Sequence, residues 1–213
     1  MPPEPLILAF DTSAAHCAVA LCQGTTVLAQ ASEEMTKGQA ERLMPMIQET
    51  LAEADCSFAD LAAIGCGIGP GNFTGIRISV SAARAFGFSL NIPAIGVSSL
   101  EALAHDLPRP CLALVDAKRD HVYAQGFGTE PEAPKRLAFE DLPELPSDIH
   151  IVGHRSGDLA GRHHDRTAPS ASTIAAIAAT RLGRAHPPPA PLYLRDADAA
   201  LPSTAPPRIL DET

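Results

Sequence analysis

Aromatic residues are scarce in this chain of 213 residues, which has no tryptophan, two tyrosines and seven phenylalanines. Its core must therefore be filled by aliphatic and alanine side chains, and hydrophobic residues make up 46% of the sequence. Charged residues make up 19%, an ordinary globular composition that excludes a disordered or collagen-like chain. A chain of this length buries roughly 70% of its unfolded surface, so it needs neither disulfides nor a structural metal to fold.

Basic residues are also few, and neither half of the sequence is positively charged. Residues 1–100 carry 4 Lys and Arg against 9 Asp and Glu, residues 101–213 carry 12 against 16, and the net charge is −9. Binding to nucleic acid draws much of its free energy from Lys and Arg that neutralise phosphates. The chain is therefore a poor nucleic-acid binder by itself.

Long apolar runs are missing, because Gly, Pro, Asn and Ser interrupt the uncharged stretches, so the sequence predicts no membrane span. The run Leu6–Phe10 is too short for the core of a signal peptide, and no Lys or Arg precedes it. We therefore expect a cytoplasmic protein. Its five cysteines are odd in number and form no C-x-x-C pair, so we interpret them as small buried hydrophobic residues in a reducing compartment.

Prolines are unevenly distributed, since 6 of the 20 precede residue 100 and 14 follow it. We expect a regular N-terminal lobe over residues 1–100 and a smaller C-terminal lobe over residues 101–213 that is broken into short elements. This second lobe includes a stiff, extended segment at His186–Pro191 and a tail from Pro202 onward.

Hydrophobic periodicity predicts an α/β fold, with the order β-β-β-α-β-α in the first lobe. The strands of that lobe are predicted at Leu6–Asp11, Cys17–Gln23, Thr26–Ser32, Leu61–Ile68 and Pro93–Val97, and its helices at Gln39–Ala54 and about Thr74–Asn91. Further strands are predicted at Cys111–Ala117, His121–Phe127 and Ile149–Val152, and further helices at Ser98–His105 and Ser172–Leu182.

Two local features refine these helices. Pro45 lies inside the first one and should kink or weaken it, unless the first turn begins later than predicted. Ser98 and Glu101 have the S-x-x-E spacing of a capping box, which predicts reciprocal hydrogen bonds at the start of the short helix.

The stretch Gly67–Arg77, GIGPGNFTGIR, is the most informative part of the sequence. It joins a strand to a helix, so its amides and the helix N-terminus could bind a phosphate, and the candidate residues are Gly69, Gly71, Asn72, Thr74 and Gly75. It lacks the Lys of a P-loop and the third Gly of a dinucleotide-binding loop. The alternative is a tight turn whose glycines permit close helix packing, with Asn72 or Thr74 as the helix cap.

Asp11, Thr12 and Ser13 follow the first strand and form a second candidate for the same site. A carboxylate with two hydroxyls could hold a Mg²⁺–phosphate group. The alternative is a turn in which these side chains bond to nearby backbone.

Histidines offer a candidate metal site at His150 and His154, which have the H-x-x-x-H spacing. We predict a strand at this position, which would hold the two side chains roughly 13 Å apart. The pair His163–His164 lies in a polar stretch that we predict to be a solvated loop. The sequence therefore predicts no metal site, and it has no G-x-S-x-G elbow or other nucleophile motif.

Five blocks together carry a family resemblance: Ile7–Leu21, Gly67–Ser79, Pro93–Ala104, Val115–Ala124 and Pro191–Arg195. In these blocks and in their order the chain resembles the TsaB family, also called YeaZ, of the actin/Hsp70/sugar-kinase superfamily. The block G-P-G-x-F-T-G-x-R is specific, and the resemblance spans nearly the whole chain. It implies two ribonuclease-H-like lobes with mixed sheets flanked by helices.

The resemblance also implies a role in making N6-threonylcarbamoyladenosine at position 37 of tRNAs that read codons beginning with A. In that family a paralogue, TsaD, catalyses the transfer, and an ATPase, TsaE, joins the pair. TsaD carries two metal-binding histidines on a helix, whereas the corresponding stretch here, Lys37–Leu43, has none, and Gln39 stands where many TsaB sequences keep one. This implies a non-catalytic subunit without a metal or cofactor of its own, which reaches tRNA only through the complex, where ATP and Mg²⁺ could act.

In this family the two long helices meet those of a partner in a four-helix bundle. The candidate contact residues are Leu43, Ile47, Leu51, Ile76, Val80, Ala83 and Gly87. The alternative is that both apolar stripes cover the sheet. A homodimer could form through the same helices when the partner is missing.

A small ATP-using, kinase-like enzyme is the alternative function, and a peptidase is disfavoured because no metal dyad or catalytic triad is present.

Overall fold

The computed structural model describes residues 4–194, and over these residues it contains two five-stranded sheets and four α-helices. The predicted α/β class and the two ribonuclease-H-like lobes are confirmed. Every predicted helix and strand is present, with each end within two residues of the predicted one. Arg195 and the predicted tail from Pro202 onward lie outside the described residues.

The first sheet has the strand order β3-β2-β1-β4-β5. Its strands are β1 (Leu6–Asp11), β2 (His16–Gln23), β3 (Thr26–Glu34), β4 (Ala63–Gly67) and β5 (Ala94–Val97). The first three form antiparallel pairs, whereas β4 runs parallel to β1, and β5 runs parallel to β4. Strand β1 is buried along its whole length, which explains its unbroken apolar sequence.

The second sheet has the order β10-β9-β6-β7-β8 and repeats the first in topology. Its strands are β6 (Cys111–Asp116), β7 (His121–Phe127), β8 (Lys135–Ala138), β9 (His150–Gly153) and β10 (Arg162–His164). The two edge strands β8 and β10 were not predicted. Both are short; β8 has two charged residues among its four and β10 contains only Arg and His, so they lack the apolar pattern on which the prediction relies.

The four helices cover these sheets unequally. They are α1 (Gln39–Glu53), α2 (Phe73–Leu90), α3 (Ser99–Ala104) and α4 (Ala171–Arg181). Helices α1 and α2 pack on one face of the first sheet and α4 packs on the other, whereas α3 packs on the second sheet. The second half of the chain therefore supplies a helix to the first sheet. The lobe boundary near residue 100 stays a prediction.

The helix ends correct two expectations. Helix α1 begins at Gln39, so Pro45 lies in its interior. The alternative in which the first turn begins later than Gln39 is wrong. Pro45 is exposed, so the carbonyl of Glu41 that loses its helical donor can bond to water instead. Ser98 caps α3 by accepting the Leu100 N–H at 3.2 Å, but Glu101 pairs with Arg181 of α4. The reciprocal half of the predicted capping box is therefore absent.

The predicted partner contacts on α1 and α2 need correction. Leu43, Ile47, Leu51, Ile76, Val80 and Ala83 are all buried in the monomer, and four of them, Leu43, Ile47, Leu51 and Ala83, belong to the core against the first sheet. Gly87 is half-buried, and a Cβ at this position would lie 3.0 Å from the Cβ of Ala94. The alternative in which these stripes cover the sheet is the one that the structure shows. A partner that meets these helices must use their outer, exposed residues.

Candidate functional site

The two halves of the candidate nucleotide site lie side by side. Strands β1 and β4 pair in parallel, with Phe10 opposite Cys66, so their carboxyl ends meet at one edge of the sheet. The glycine loop, residues 68–72, then lies against Asp11–Ser13, and the Asn72 N–H donates to the Ser13 carbonyl oxygen at 2.7 Å. These two segments, which the sequence indicated as candidates for the same site, are therefore in contact in the fold.

Most of the buried polar side chains of the described chain are concentrated at this point: Asp11, Thr12, Ser13, His16, Ser79 and Ser99. Thr12 links the end of β1 to α2, because its Oγ1 donates to the Gly75 carbonyl oxygen at 2.6 Å and its N–H donates to Ser79 Oγ at 3.0 Å. Ser13 Oγ lies 3.1 Å from Ser99 Oγ at the start of α3. This junction therefore ties the two lobes together.

Asp11 is fully buried, and its two carboxylate oxygens have different surroundings. Oδ2 lies 2.6 Å from His16 Nε2 and accepts the Ser13 Oγ–H at 3.0 Å. Oδ1 has no hydrogen-bond partner and lies 1.8 Å from the place that a Cβ on Gly67 would occupy. Only glycine at position 67 leaves room for this carboxylate.

The glycines of the loop make room for the chain itself. A Cβ on Gly71 would lie 2.3 Å from the Ser13 carbonyl oxygen, and one on Gly75 would lie 1.8 Å from the Thr12 carbonyl oxygen. These contacts are shorter than van der Waals separation, so any side chain would push the two segments apart. This supports the interpretation of the glycines as packing residues.

The amides at the start of α2 are already bonded. Asn72 Oδ1 accepts the Thr74 N–H at 3.0 Å and the Gly75 N–H at 3.1 Å, so Asn72 is the helix cap and Thr74 is not. A phosphate at this helix N-terminus would have to displace that cap. The residues as arranged do not fit a Mg²⁺–phosphate group, and nucleotide binding by them stays a prediction.

A cleft of about 1340 Å³ opens between the β2–β3 hairpin and residues 165–173. His16 lines this cleft, and its Nε2 is held from behind by Asp11. The charged lining residues are Glu34, Asp106, Asp165 and Arg166. Carboxylates outnumber the single guanidinium, which disfavours a polyanion such as ATP.

In the second sheet, His150 contacts His164 and not His154, the residue with which it shares the H-x-x-x-H spacing. His150 Nδ1 lies 2.7 Å from His164 Nε2 on the neighbouring strand β10, so His164 is not in a solvated loop as predicted. Burial and the nearby His150 lower the pKa of His164. Across residues 4–194 no three His, Cys, Asp or Glu side chains are grouped to hold a metal ion.

Four of the five cysteines are buried, as predicted, and Cys56 is half-buried. Burial raises the pKa of the Cys17 and Cys22 thiols to about 11, which leaves almost no reactive thiolate near neutral pH. In the described residues no helix is long and apolar enough to cross a membrane.

The outer face of α1 and α2 is a second candidate site, at the molecular surface. It exposes three large apolar side chains, namely Met44 at 42%, Phe73 at 53% and Phe88 at 91%. Phe73 packs against Tyr193, which lies far away in the sequence. The sequence predicted partner contacts on these helices, but none of these three residues was among them, because single exposed apolar residues carry no periodic signal of their own.

Comparison with known proteins agrees with this arrangement. A family model described as "TsaD: tRNA N6-adenosine threonylcarbamoyltransferase" matches residues 26–132. The Escherichia coli "tRNA threonylcarbamoyladenosine biosynthesis protein TsaB" is 37% identical over 163 residues, which cover 69% of this chain and 70% of that protein. The chain belongs to the TsaB family.

Other TsaB-family proteins match over different lengths. The protein of the same description from Buchnera aphidicola subsp. Schizaphis graminum is 39% identical over 123 residues, so the match spans 55% of this chain and 58% of that relative. The solved structure of YeaZ from Pseudomonas aeruginosa is 27% identical, with a TM-score of 0.76, and covers 89% of this chain and 100% of its own. The TsaB-family fold therefore extends over both lobes.

Proposed function

We propose that this chain takes part in the biosynthesis of N6-threonylcarbamoyladenosine in tRNA, as a non-catalytic subunit that pairs with a TsaD protein. TsaD would transfer the threonylcarbamoyl group to adenosine 37 of tRNAs that read codons beginning with A. TsaE would join the pair, and tRNA would be reached only through the complex. The names of the TsaB relatives support the pathway, and the net charge of −9 agrees with indirect contact to tRNA.

The observation that carries the pairing is the exposed outer face of α1 and α2. Phe88 is 91% exposed, so its ring is available as an aromatic anchor for a partner, the kind of side chain that contributes most to binding at interfaces. The two helices also differ in charge, because α1 exposes Glu41 and Glu53 whereas α2 exposes Arg77 and Arg84 and has no acidic residue. A partner surface with basic and acidic strips side by side would complement this face.

The non-catalytic role is supported by what α1 does at its first turn. The stretch Lys37–Leu43 contains no histidine, and Gln39 is buried with its Nε2 donating to the Met35 carbonyl oxygen at 3.0 Å. This position therefore holds the start of α1 in place. The kinase-like alternative has no comparable support, because the helix cap occupies the amides that a phosphate needs.

The pairing is tested with a charged residue on the proposed interface. Phe88→Asp should weaken the binding of the TsaD protein from the same organism by about tenfold or more, because it removes an apolar anchor. Val27→Asp is the matched control, since Val27 is exposed on the β2–β3 hairpin. Light scattering and calorimetric titration measure the complex. Equal affinity for Phe88→Asp and the wild type would contradict the pairing through this face.

A further inference from the structure

Tyr193 packs against the first turns of α2 from a segment far along the chain. The Leu192 N–H donates to the Ile68 carbonyl oxygen at 2.8 Å, which holds this segment beside the glycine loop. The rings of Tyr193 and Phe73 stack with centroids 5.1 Å apart. The Arg77 guanidinium lies 3.8 Å from the Phe73 ring centroid, and its Nε–H donates to Tyr193 Oη at 2.9 Å. We call Phe73, Arg77 and Tyr193 the aromatic clamp.

The clamp fixes a side chain that would otherwise move freely. An exposed arginine samples many rotamers, and binding has to freeze them. Here one ring lies against the guanidinium and a hydroxyl holds its Nε, so the order exists before a partner arrives. Within residues 4–194, Arg77 makes no other side-chain hydrogen bond or ion pair, so the N–H groups of Nη1 and Nη2 remain available.

The available groups indicate the chemistry of what they would bind. Two parallel N–H donors of a guanidinium match the two oxygens of a carboxylate. Helix α2 has no acidic residue of its own. Phe73 beside the guanidinium is half-exposed and offers apolar contact. An aspartate or glutamate flanked by an apolar residue on the partner would satisfy both.

We infer that Tyr193 is a positioning residue for partner binding, which holds Arg77 in place to receive a carboxylate of the partner. This inference rests on the proposed function, since Arg77, Arg84 and Phe88 lie along the same exposed face of α2. The clamp residues are half-exposed or exposed, and such surface contacts contribute little to folding stability. Their composition of arginine and aromatic side chains is typical of residues that dominate binding.

The experiment uses conservative changes in the full chain. Tyr193→Phe keeps the ring stack and removes the hydroxyl, and it should weaken binding of the TsaD protein about threefold to fivefold, as one lost hydrogen bond does. Arg77→Ala should weaken binding about tenfold. The double variant should bind as Arg77→Ala does, because Tyr193 acts through Arg77. Melting temperatures should stay at the wild-type value, which excludes a loss of folding.

The outcomes separate this inference from the proposed function. Wild-type affinity for Tyr193→Phe, with weaker binding by Phe88→Asp, would overturn the role of Tyr193 and leave the pairing intact. Additive losses in the double variant would also overturn it, because Tyr193 would then contact the partner independently. Wild-type affinity for Phe88→Asp and Arg77→Ala alike would overturn the proposed pairing face, and the inference with it.

Discussion

The two sheets have the same strand order, but the connections between their strands differ greatly in helix content. In the first sheet the connections from β3 to β4 and from β4 to β5 contain α1, with 15 residues, and α2, with 18. In the second sheet the equivalent connections contain only the 3-10 turns Phe139–Asp141 and Ser156–Asp158, of three residues each. The repeated topology therefore has outer helices in one lobe and lacks them in the other, over the described residues.

The prolines explain part of this difference. The connection from β8 to β9 contains Pro143 and Pro146, and closely spaced prolines prevent a helix from continuing. The face of the second sheet opposite α3 is covered instead by half-buried side chains of β8 and of the connections that follow it: Leu137, Phe139, Leu142, Leu145 and Leu159. Within residues 4–194, only the first lobe thus has two long helices on its outer face.

The contact between Asp11–Ser13 and the start of α2 allows tightly and loosely packed glycines of the two lobes to be compared by their effect on stability. Gly75→Ala places a Cβ 1.8 Å from the Thr12 carbonyl oxygen, so the backbone must shift and the free energy of unfolding should fall by about 3 kcal/mol. Gly157→Ala, in the open 3-10 turn of the second lobe, meets nothing within 4 Å and should change it by less than about 0.5 kcal/mol. Urea unfolding of both variants measures this, and similar losses would contradict the account of the junction.

A smaller effect is expected at the edge of the second sheet. Because the pKa of His164 is lowered in the fold, the unfolded chain takes up a proton first as the pH falls through about 6.5. The stability of β10 is therefore complete above that pH and decreases below it. Protection of the β10 amides from hydrogen exchange should fall between pH 7.5 and 5.5, more than that of β5, the edge strand of the first sheet that has no titratable residue.

His164→Gln supplies the control, because it removes the titrating group. This variant should show the same β10 protection at both pH values. Protection of β10 that falls equally in the variant and the wild type would show that another group is responsible.

The sequence predicted the parts of this fold that have strong apolar patterns. Strand β1 and helix α2 were predicted within one residue of their ends, because both bury continuous or periodic apolar residues. The edge strands β8 and β10 were missed, since each is short and neither has a continuous or alternating apolar pattern. The packing of α4 on the first sheet was missed as well, because a helix pattern does not specify which sheet it covers.

The candidate site was predicted only in part, for the same physical reason. Asp11–Ser13 and the glycine loop were predicted as two parts of one site, and the observed parallel pairing of β1 and β4 brings them into contact. The bond between Arg77 and Tyr193 joins residues 116 positions apart, and no local pattern reports such a distance. The apolar stripes of α1 and α2 were predicted as partner contacts but are buried in the monomer. The sequence could not distinguish the two cases, because a stripe that packs on a sheet and one that binds a partner have the same period.

Reconstitution of threonylcarbamoyl transfer is the most direct test of the central claim. Transfer to tRNA should be measured with the TsaD and TsaE proteins of the same organism, ATP and the activated threonylcarbamoyl donor, with and without this chain. The account predicts full modification only when the chain is present, and none with the chain and donor alone. Equal modification without it, or modification by the chain alone, would contradict the proposed function.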